Sequence, residues 1–327
     1  VSVAKSVIFR PRRGRDRAYK EKIESWSYSS TYGRNKRDWL ISKIVFEEKA
    51  SAKVNLCLQI VGQKSNGFHL LDSIVGFTEF GDHLSFKESD VLELTVQGAF
   101  SDQIPVDKSN LILKAAELLR TLYSIKTGAH ITLIKNLPPS AGLGGGSSDA
   151  AAAVRGLSRL WGTDLPEIHD LMKIGSDLPV CINQKTQHMK GFGEVLNEIN
   201  TFPNLPILLV NPLKRVSTQI VFSMLKNKKN PPLSKYEKLF KTKKDCIKWL
   251  LLQRNDLIEP AITIEPVIAD VLRLISNQFS VKKVSMSGSG ATCFGVFENK
   301  HDCDLAMKKV RRERPEWWSV STEIIST

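Results

Sequence analysis

Residues 137–149 read Leu-Pro-Pro-Ser-Ala-Gly-Leu-Gly-Gly-Gly-Ser-Ser-Asp and lead into four consecutive alanines. Four glycines within positions 142–146 leave the backbone free to adopt positive φ and to approach a ligand without an intervening Cβ. The alanines, followed by Leu157 and Leu160, predict a helix that is buried on one face. A glycine loop that runs into a helix gathers unpaired N–H groups at the positive end of the helix dipole, so this stretch predicts a phosphate site.

The loop differs from the two commonest phosphate-binding motifs. No lysine follows the glycines as a Walker loop requires, and Ser147 stands where a dinucleotide-binding motif needs its third glycine. A flexible Gly/Ser linker is the alternative, but such linkers do not run directly into a strong helix. The sequence therefore favours a phosphate site of another class.

Composition and charge indicate a globular protein of about two domains. The 327 residues are 42% hydrophobic and 25% charged, and the apolar runs are far too short to span a bilayer. Of the net charge of +13, residues 1–43 carry twelve Lys/Arg against four Asp/Glu, or +8, which leaves +5 for the rest. The charge of residues 44–327 needs no nucleic acid to explain it, the short apolar runs predict no membrane partner, and a modest positive surplus suits an anionic nucleotide substrate.

The N-terminal stretch and the cysteines indicate where the protein works. Residues 1–43 lack periodicity and predict a basic, disordered arm, whose four acidic residues argue against a transit peptide. The five cysteines are odd in number, scattered and without a CxxC pair. They predict a reducing compartment, the cytoplasm, with no disulfide framework and no zinc site.

Alternating and helical apolar patterns divide the rest of the chain. Strands are expected at 53–61, 68–77, 84–86, 92–96, 130–135, 179–182, 207–210, 284–286, 293–297 and 318–324. Helices are expected at 110–123, in the alanine segment, from 166 to about 175, after 217–218, as a surface helix within 226–244, at 268–279 and at 302–312. Gly81-Asp82 and Gly191–Gly193 are expected to be turns, and a domain boundary is expected near 201–206.

Three separated segments occur in a distinctive order along the chain. They are Ala52-Lys53-Val54-Asn55 with Gly67-Phe68-His69, the glycine loop, and Ser287-Gly288-Ser289-Gly290-Ala291-Thr292. Over residues 46–325 this order resembles the superfamily of galactokinase, homoserine kinase, mevalonate kinase and phosphomevalonate kinase, the GHMP kinases. The pairing of Lys-x-Asn with Gly-aromatic-His is most similar to its members that act on a cytidyl diphosphate alcohol.

The resemblance implies an α+β, two-domain GHMP kinase fold. Residues 44–200 would form the N-terminal, ATP-binding domain, similar to domain 2 of ribosomal protein S5, and residues 201–327 a ferredoxin-like C-terminal domain. ATP would lie in the cleft between them. The implied enzyme is an ATP-dependent small-molecule kinase of isoprenoid precursor synthesis, a monomer or weak homodimer, that phosphorylates the 2-hydroxyl of its cytidyl substrate.

The resemblance also assigns the residues that would hold ATP. The backbone of the loop would wrap the phosphates: Pro138, Pro139, Ser140, Ala141, Gly142, Leu143, Gly144, Gly145, Gly146, Ser147 and Ser148. Ser147 or Ser148 would lie near Mg²⁺, with Ser148 preferred. Asn110 and Lys135 match positions on the adenine side of the pocket, with a helix cap and an exposed strand-end lysine as the alternatives.

The catalytic pair implied by the resemblance is Asp177 and Lys53. Asp177 stands in a Gly-x-Asp-x-Pro segment and would act as general base toward the substrate hydroxyl. Lys53 would hold this aspartate, lower the pKa of the hydroxyl and face the transferring charge. Which of the two activates the hydroxyl stays open, and helix capping is the alternative for Asp177.

The substrate end is implied by one histidine and its neighbours. His69 matches the partner of the cytosine edge, Phe68 and Phe222 would sandwich the ring, and Asn55 would hydrogen-bond in the same pocket. Phe68 occupies a position that is often Tyr in the family. Rival functions are another GHMP kinase such as homoserine or mevalonate kinase, a relative that binds nucleotide without catalysis, and a nucleic-acid binder that uses the basic arm.

Overall fold

The computed structural model describes residues 46–65, 67–236, 240 and 242–326, so the expected disordered arm at 1–43 lies outside the described residues. Within these ranges the strands are β1 (Phe46–Gln63), β2 (His69–Ser89), β3 (Leu92–Gln97), β4 (Gly128–Ile134), β5 (Gln187–Gly191), β6 (Val195–Glu198), β7 (Leu205–Asn211), β8 (Lys283–Met286), β9 (Cys293–Val296) and β10 (Trp318–Ile324). The helices are α1 (Leu111–Tyr123), α2 (Gly145–Trp161), α3 (Ile168–Met172), α4 (Leu178–Ile182), α5 (Thr218–Ser223), α6 (Lys243–Leu251), α7 (Ile258–Ile264), α8 (Val267–Ser276) and α9 (Lys300–Glu313). Each of these helices is too short or too polar to cross a membrane.

The described strands form one ten-stranded sheet. It has two parts, here called the first and the second ladder, which meet where β2 pairs with β10. In the first ladder β1 and β2 pair antiparallel over most of their length, β4 and β5 also pair with β2, β3 lies parallel to β4, and β6 pairs with β5. In the second, β7 lies between β10 and β9, and β8 pairs with β9. The ladders join where Ile324 pairs with Thr78. The expected α+β class is confirmed. The expected domain boundary at 200/201 falls between β6 and β7, and so between the two ladders. The division into two domains stays a prediction.

Small residues bring α2 close to the first ladder. Ala150, Ala151, Ala152 and Ala153 are fully buried in the core that α1 and α2 share with β2 and β4. At Gly156 an added Cβ would lie 2.2 Å from the ring of Phe86, so only glycine permits this approach. The buried helix expected after the glycine loop is therefore confirmed, and its packing fixes the position of the loop at its N-terminus.

Gly81 and Asp82 do not form the expected turn, because β2 continues through both residues. A Cβ on Gly81 would lie 2.3 Å from the carbonyl oxygen of Ala50, so glycine here permits close contact between β1 and β2. Asp82 is fully buried and accepts hydrogen bonds from the backbone N–H groups of Asn136 and Leu137, at 2.6 and 2.8 Å. Gly81 and Asp82, which indicated a turn, are instead needed for contacts with residues that are distant in the chain.

Residues 179–182 belong to α4 and not to the expected strand. The run is short, apolar and buried, and such a run occurs both in buried strands and in buried helices. Pro179 lies in the first helical turn, where a missing N–H removes no helical bond. Two other expectations shift: the helix expected from residue 166 to about 175 spans only Ile168–Met172, and the helix expected within 226–244 begins at Lys243.

Candidate active site

A cleft of about 1520 Å³ opens where the glycine loop, β1 and the segment 287–290 meet. Most residues expected from the sequence line it: Lys53, Asn55, Phe68, His69, Asn110, Lys135, Pro139, Ser140, Ala141, Gly142, Gly144, Gly145, Gly146, Ser147, Asp177 and Phe222. Three residues expected in the loop, Pro138, Leu143 and Ser148, are buried and do not line the cleft. One cavity thus brings together residues expected at the phosphate, catalytic and substrate positions.

The loop conformation depends on glycine and leaves the start of α2 open. Gly142 and Gly144 have φ values of +74° and +62°, and a Cβ on Gly142 would lie 2.5 Å from the carbonyl oxygen of Ser287. No side chain caps the N-terminus of α2. Uncapped N–H groups and the helix dipole therefore face the cleft at this point, which is the arrangement that binds a phosphate.

Ser287 connects the glycine loop to β1. Its hydroxyl donates to the carbonyl oxygen of Gly142 at 2.8 Å and accepts from the backbone N–H of Asn55 at 3.1 Å. The N–H of Lys53 donates to the carbonyl oxygen of Leu143 at 2.8 Å. Sequence reasoning placed Ser287 in the third segment but assigned it no role, and its partner Asn55 lies 232 positions away in the chain.

Lys53 and Asp177 form a direct ion pair beside the loop. The Nζ of Lys53 donates to Oδ2 of Asp177 at 2.6 Å, with side-chain exposures of 6% and 41%. Burial alone would lower the pKa of Lys53, but the carboxylate of Asp177 outweighs it and the pKa is raised. Asp177 precedes α4 without capping it, so its carboxylate stays available to the cleft.

Lys135 is not the exposed strand-end lysine that was the alternative. It is 1% exposed, and its Nζ lies 2.6 Å from Oδ2 of Asp82 and 2.5 Å from Oδ2 of Asp149. Burial raises the pKa of Asp149, Lys135 opposes this shift, and Asp82 adds to it. Because Asp82 also binds the backbone of Asn136 and Leu137, this cluster joins β2, the chain entering the loop and the first turns of α2.

Asn110 and the two serines have well-defined positions. Asn110 is the N-cap of α1, accepting from the N–H of Ile112 at 2.9 Å, while it also lines the cleft. Ser147 lines the cleft, whereas the hydroxyl of Ser148 is buried and lies 3.6 Å from the sulfur of Cys181. Of the two serines, Ser147 is the one that lines the cleft, and the role of Ser148 near Mg²⁺ stays a prediction.

Another part of the cleft wall is aromatic. The His69 ring lies 5.1 Å from that of Phe222, on α5, with a tilt of 42°. His69 Nε2 is buried without a hydrogen-bond partner among the described residues, and burial together with Lys228 lowers the pKa of the imidazole. Phe68 stands 62% exposed at the edge of the cleft, and Asn55 donates from Nδ2 to the hydroxyl of Ser73 at 2.9 Å. A neutral imidazole with an unused nitrogen can bind a polar ring edge.

Known families and relatives match the same regions of the chain. The GHMP kinases N terminal domain matches residues 110–190 and the GHMP kinases C terminal domain matches residues 242–315. The 4-diphosphocytidyl-2-C-methyl-D-erythritol kinase of Dinoroseobacter shibae is 44% identical over 273 residues, which is 84% of this chain and 93% of that protein. The same kinase of Paramagnetospirillum magneticum is 42% identical over 288 residues, 86% of this chain and 99% of that protein.

Solved structures agree with these matches. A crystal structure of 4-(cytidine 5'-diphospho)-2C-methyl-D-erythritol kinase superposes with a TM-score of 0.71 at 26% identity, covering 86% of this chain and all of that one. The homoserine kinase of Cytophaga hutchinsonii has a TM-score of 0.63 at 15% identity, covers 91% of this chain and 98% of that one, and shows a shared fold alone. The chain has the expected GHMP kinase fold and belongs to the family of ATP-dependent GHMP small-molecule kinases, among the 4-diphosphocytidyl-2-C-methyl-D-erythritol kinases.

Proposed function

We propose that this chain transfers the γ-phosphoryl group of ATP to the 2-hydroxyl of 4-diphosphocytidyl-2-C-methyl-D-erythritol, giving the 2-phosphate and ADP in the non-mevalonate route to isoprenoid precursors. The observation that carries the proposal is the Lys53–Asp177 pair, at 2.6 Å, which shares one cleft with the glycine loop and the His69–Phe222 pair. The names of the relatives supply the identity of the acceptor.

At the ATP end, the proposed phosphate ligands are backbone N–H groups of the loop and the uncapped start of α2. Asn110 lines the cleft and would contact the adenine side of ATP. Lys135 also borders the cleft, but two carboxylates engage its ammonium, so we assign it the role of holding the loop. Phosphoryl transfer requires positioning and charge stabilisation above all, and a rigid loop supplies the first of these.

The transfer step uses Asp177 and Lys53. The substrate O–H bond breaks as its oxygen bonds to the γ-phosphorus, the proton passes to the free oxygen of Asp177, and ADP leaves with the electrons of the broken P–O bond. Lys53 keeps Asp177 in place and presents a positive charge to the phosphoryl oxygens. Its raised pKa keeps the ammonium charged at neutral pH.

Magnesium fits this site as a partner of the phosphates. The described residues hold no group of three or more His, Cys, Asp or Glu side chains that could bind a metal by themselves. Mg²⁺ in kinases is bound through one or two protein oxygens together with substrate phosphates, and the hydroxyl of Ser147 would offer such an oxygen at the cleft. When bound, the ion neutralises charge on the phosphates of ATP.

At the substrate end, His69 would bind the cytosine edge, while Phe68 and Phe222 would contact the faces of the ring. Asn55 would complete the polar contacts of this pocket. Arg215, which also lines the cleft, adds positive charge where the diphosphate of the substrate would lie. Stacking needs only an aromatic ring, so phenylalanine at position 68 preserves the contact.

The proposed setting of the enzyme is the cytoplasm, where it works as a monomer or weak homodimer without nucleic-acid or membrane partners. All five cysteines are unpaired and buried, which fits a reducing compartment. The charge of the chain outside residues 1–43 is only +5, which gives no reason to invoke a nucleic acid.

An ADP-release assay with three alcohols tests the proposal. Purified full-length protein, ATP and Mg²⁺ are mixed with the cytidyl substrate, homoserine or mevalonate. We expect turnover with the cytidyl substrate and none above background with the other two. Turnover with homoserine or mevalonate alone would assign a different kinase of the family, and ATP binding without turnover of any of them would indicate a non-catalytic relative.

A further inference from the structure

The hairpin of β5 and β6 presents one aromatic side chain, Phe192, to the cleft. Glycines on both sides have positive φ, +71° at Gly191 and +113° at Gly193, so the tip turns tightly. The N–H of Phe192 donates to the carboxylate of Glu194, and a Cβ on Gly191 would lie 2.4 Å from Oε1 of that carboxylate. The tip is thus built to hold Phe192 in one place.

Phe192 contacts two residues of the turn between β1 and β2. Its ring meets the ring of Phe68 edge to face, with centroids 5.6 Å apart and an interplanar angle of 73°. The Nζ of Lys64 lies 4.7 Å from the centroid of Phe192. Lys64 and Phe68 are themselves joined, since the N–H of Lys64 donates to the carbonyl oxygen of Phe68 at 2.9 Å. Hairpin and turn therefore form one aromatic and cationic cluster at the cleft edge.

We infer that Phe192 is a specificity-determining, positioning residue for the nucleobase end of the substrate, an inference that rests on the proposed function. Phe68 is 62% exposed and would stack on the cytosine, so fixing its ring beforehand lowers the entropy lost on binding. A tyrosine at position 68 could fix its ring through a hydrogen bond of its hydroxyl, and phenylalanine lacks that hydroxyl. The ring of Phe192, with the ammonium of Lys64 over it, holds Phe68 instead through contacts that require a ring at position 192.

The test measures KM for the cytidyl substrate, KM for ATP and kcat in full-length variants. We expect Phe192→Ala to raise KM for the cytidyl substrate by roughly three- to tenfold, the range of an edge-to-face pair. KM for ATP and kcat should stay within about twofold of the original, because the phosphate loop and the Lys53–Asp177 pair lie elsewhere in the cleft. Phe192→Trp keeps a ring and should show little of this rise in KM, whereas Phe192→Leu should show most of it.

Two further variants isolate the contact. Phe279→Ala removes an 82% exposed phenylalanine that does not line the cleft, and it should leave all three constants unchanged. If Phe192 acts through Phe68, the double variant Phe68→Ala/Phe192→Ala should have the same KM as Phe68→Ala alone. If the double variant raises KM for the cytidyl substrate by the product of the two single effects, Phe192 does not act through Phe68 and the positioning role is overturned. An unchanged KM for the cytidyl substrate in Phe192→Ala, or an equal rise in KM for ATP, would also overturn it.

A binding measurement separates this inference from the proposed function. If the full-length protein does not turn over the cytidyl substrate, the proposed function fails, and calorimetry with cytidine diphosphate then decides about Phe192. Weaker binding of cytidine diphosphate by Phe192→Ala than by Phe279→Ala would support the inference. Equal binding by the two variants would overturn it.

Discussion

Two side chains that are 124 positions apart in the chain, Lys53 and Asp177, meet at 2.6 Å beside the phosphate loop. The lysine is nearly enclosed, while the aspartate keeps one face in the cleft. A buried ammonium requires a partner, because an unpaired charge in the interior costs several kcal/mol, roughly 3–5 when one partner of a buried pair is removed. The pair therefore stabilises β1 against the start of α4 and, in the proposed mechanism, prepares the proton acceptor.

Replacing Asp177 by alanine should abolish most of the turnover. We expect kcat to fall by about 10²–10⁴ because the proton acceptor is lost, while the affinity for ATP changes little because the loop remains. Initial rates with the cytidyl substrate and equilibrium binding of an ATP analogue measure the two quantities. Asp270→Ala, which removes a half-exposed carboxylate on α8, is the control, and near-normal kcat in Asp177→Ala would remove Asp177 from the mechanism.

The lowered pKa of His69 predicts a pH dependence of substrate binding. Burial and Lys228 hold this pKa below 6.5, so the imidazole is neutral above that pH and becomes charged only as the pH falls below it. A neutral imidazole has one acceptor nitrogen, which can accept from the amino group on the cytosine edge, and protonation removes this acceptor. KM for the cytidyl substrate should thus be constant from pH 8 to 6.5 and rise at lower pH.

The variant His69→Asn is the control for this titration. Its KM should be higher at every pH but should lose the rise below pH 6.5, since asparagine does not titrate. A rise of the same size in His69→Asn would assign the effect to another group.

At the scale of elements, the glycine loop and α2 act together. The helix could be predicted because its alanines favour a helix and because Leu157 and Leu160 continue the apolar face at helical spacing. The strand through Gly81 and Asp82 could not, because both residues favour turns locally and only the contacts with Ala50, Asn136 and Leu137 make them part of β2. The turn preference of these two residues is weaker than their contacts with segments that are distant in the chain, and such contacts cannot be recognised in a short stretch of sequence.

Replacing Gly142 by alanine should weaken ATP binding. The new Cβ would combine a φ of +74° with a distance of 2.5 Å to the carbonyl oxygen of Ser287, so the loop has to move. We expect KM for ATP to rise at least tenfold, the equivalent of about 1.4 kcal/mol, with a smaller change for the cytidyl substrate.

Gly162→Ala provides the matched control at the other end of α2. Its φ is similar, +68°, but nothing lies within 4 Å of the added Cβ. It should lower the free energy of unfolding by about 1 kcal/mol through backbone strain and leave KM for ATP unchanged. Equal changes in KM for ATP in both variants would show that the position of Gly142 beside Ser287 has no special importance.

At the scale of the whole molecule, the two ladders contribute different parts of one cleft. β1 and β5 bring Lys53 and Met189, and the turn between β8 and β9 brings Gly288 and Gly290. The sequence indicated these segments as motifs, and their order predicted the family and its fold. The hydrogen bonds of Ser287 and the ring contacts of Phe192 could not be predicted, since they depend on the register of paired strands and on the direction of side chains.

Deleting residues 1–43 should leave the kinase intact. The described residues that line the cleft all come from positions 53–290, and the deletion removes +8 of the net charge. We expect kcat and both KM values to stay within about twofold, and any weak, salt-dependent binding to DNA to disappear with the arm. A large loss of activity in the shortened chain would show that the basic arm contributes to catalysis.

The central claim, that this cleft transfers a phosphoryl group from ATP to a hydroxyl of the cytidyl substrate, is tested most directly by phosphorus NMR of the complete reaction. We predict a new phosphomonoester resonance that grows in step with ADP while the two diphosphate signals of the substrate persist. ADP accompanied only by inorganic phosphate, or no change in the spectrum over many hours with folded protein, would contradict the account.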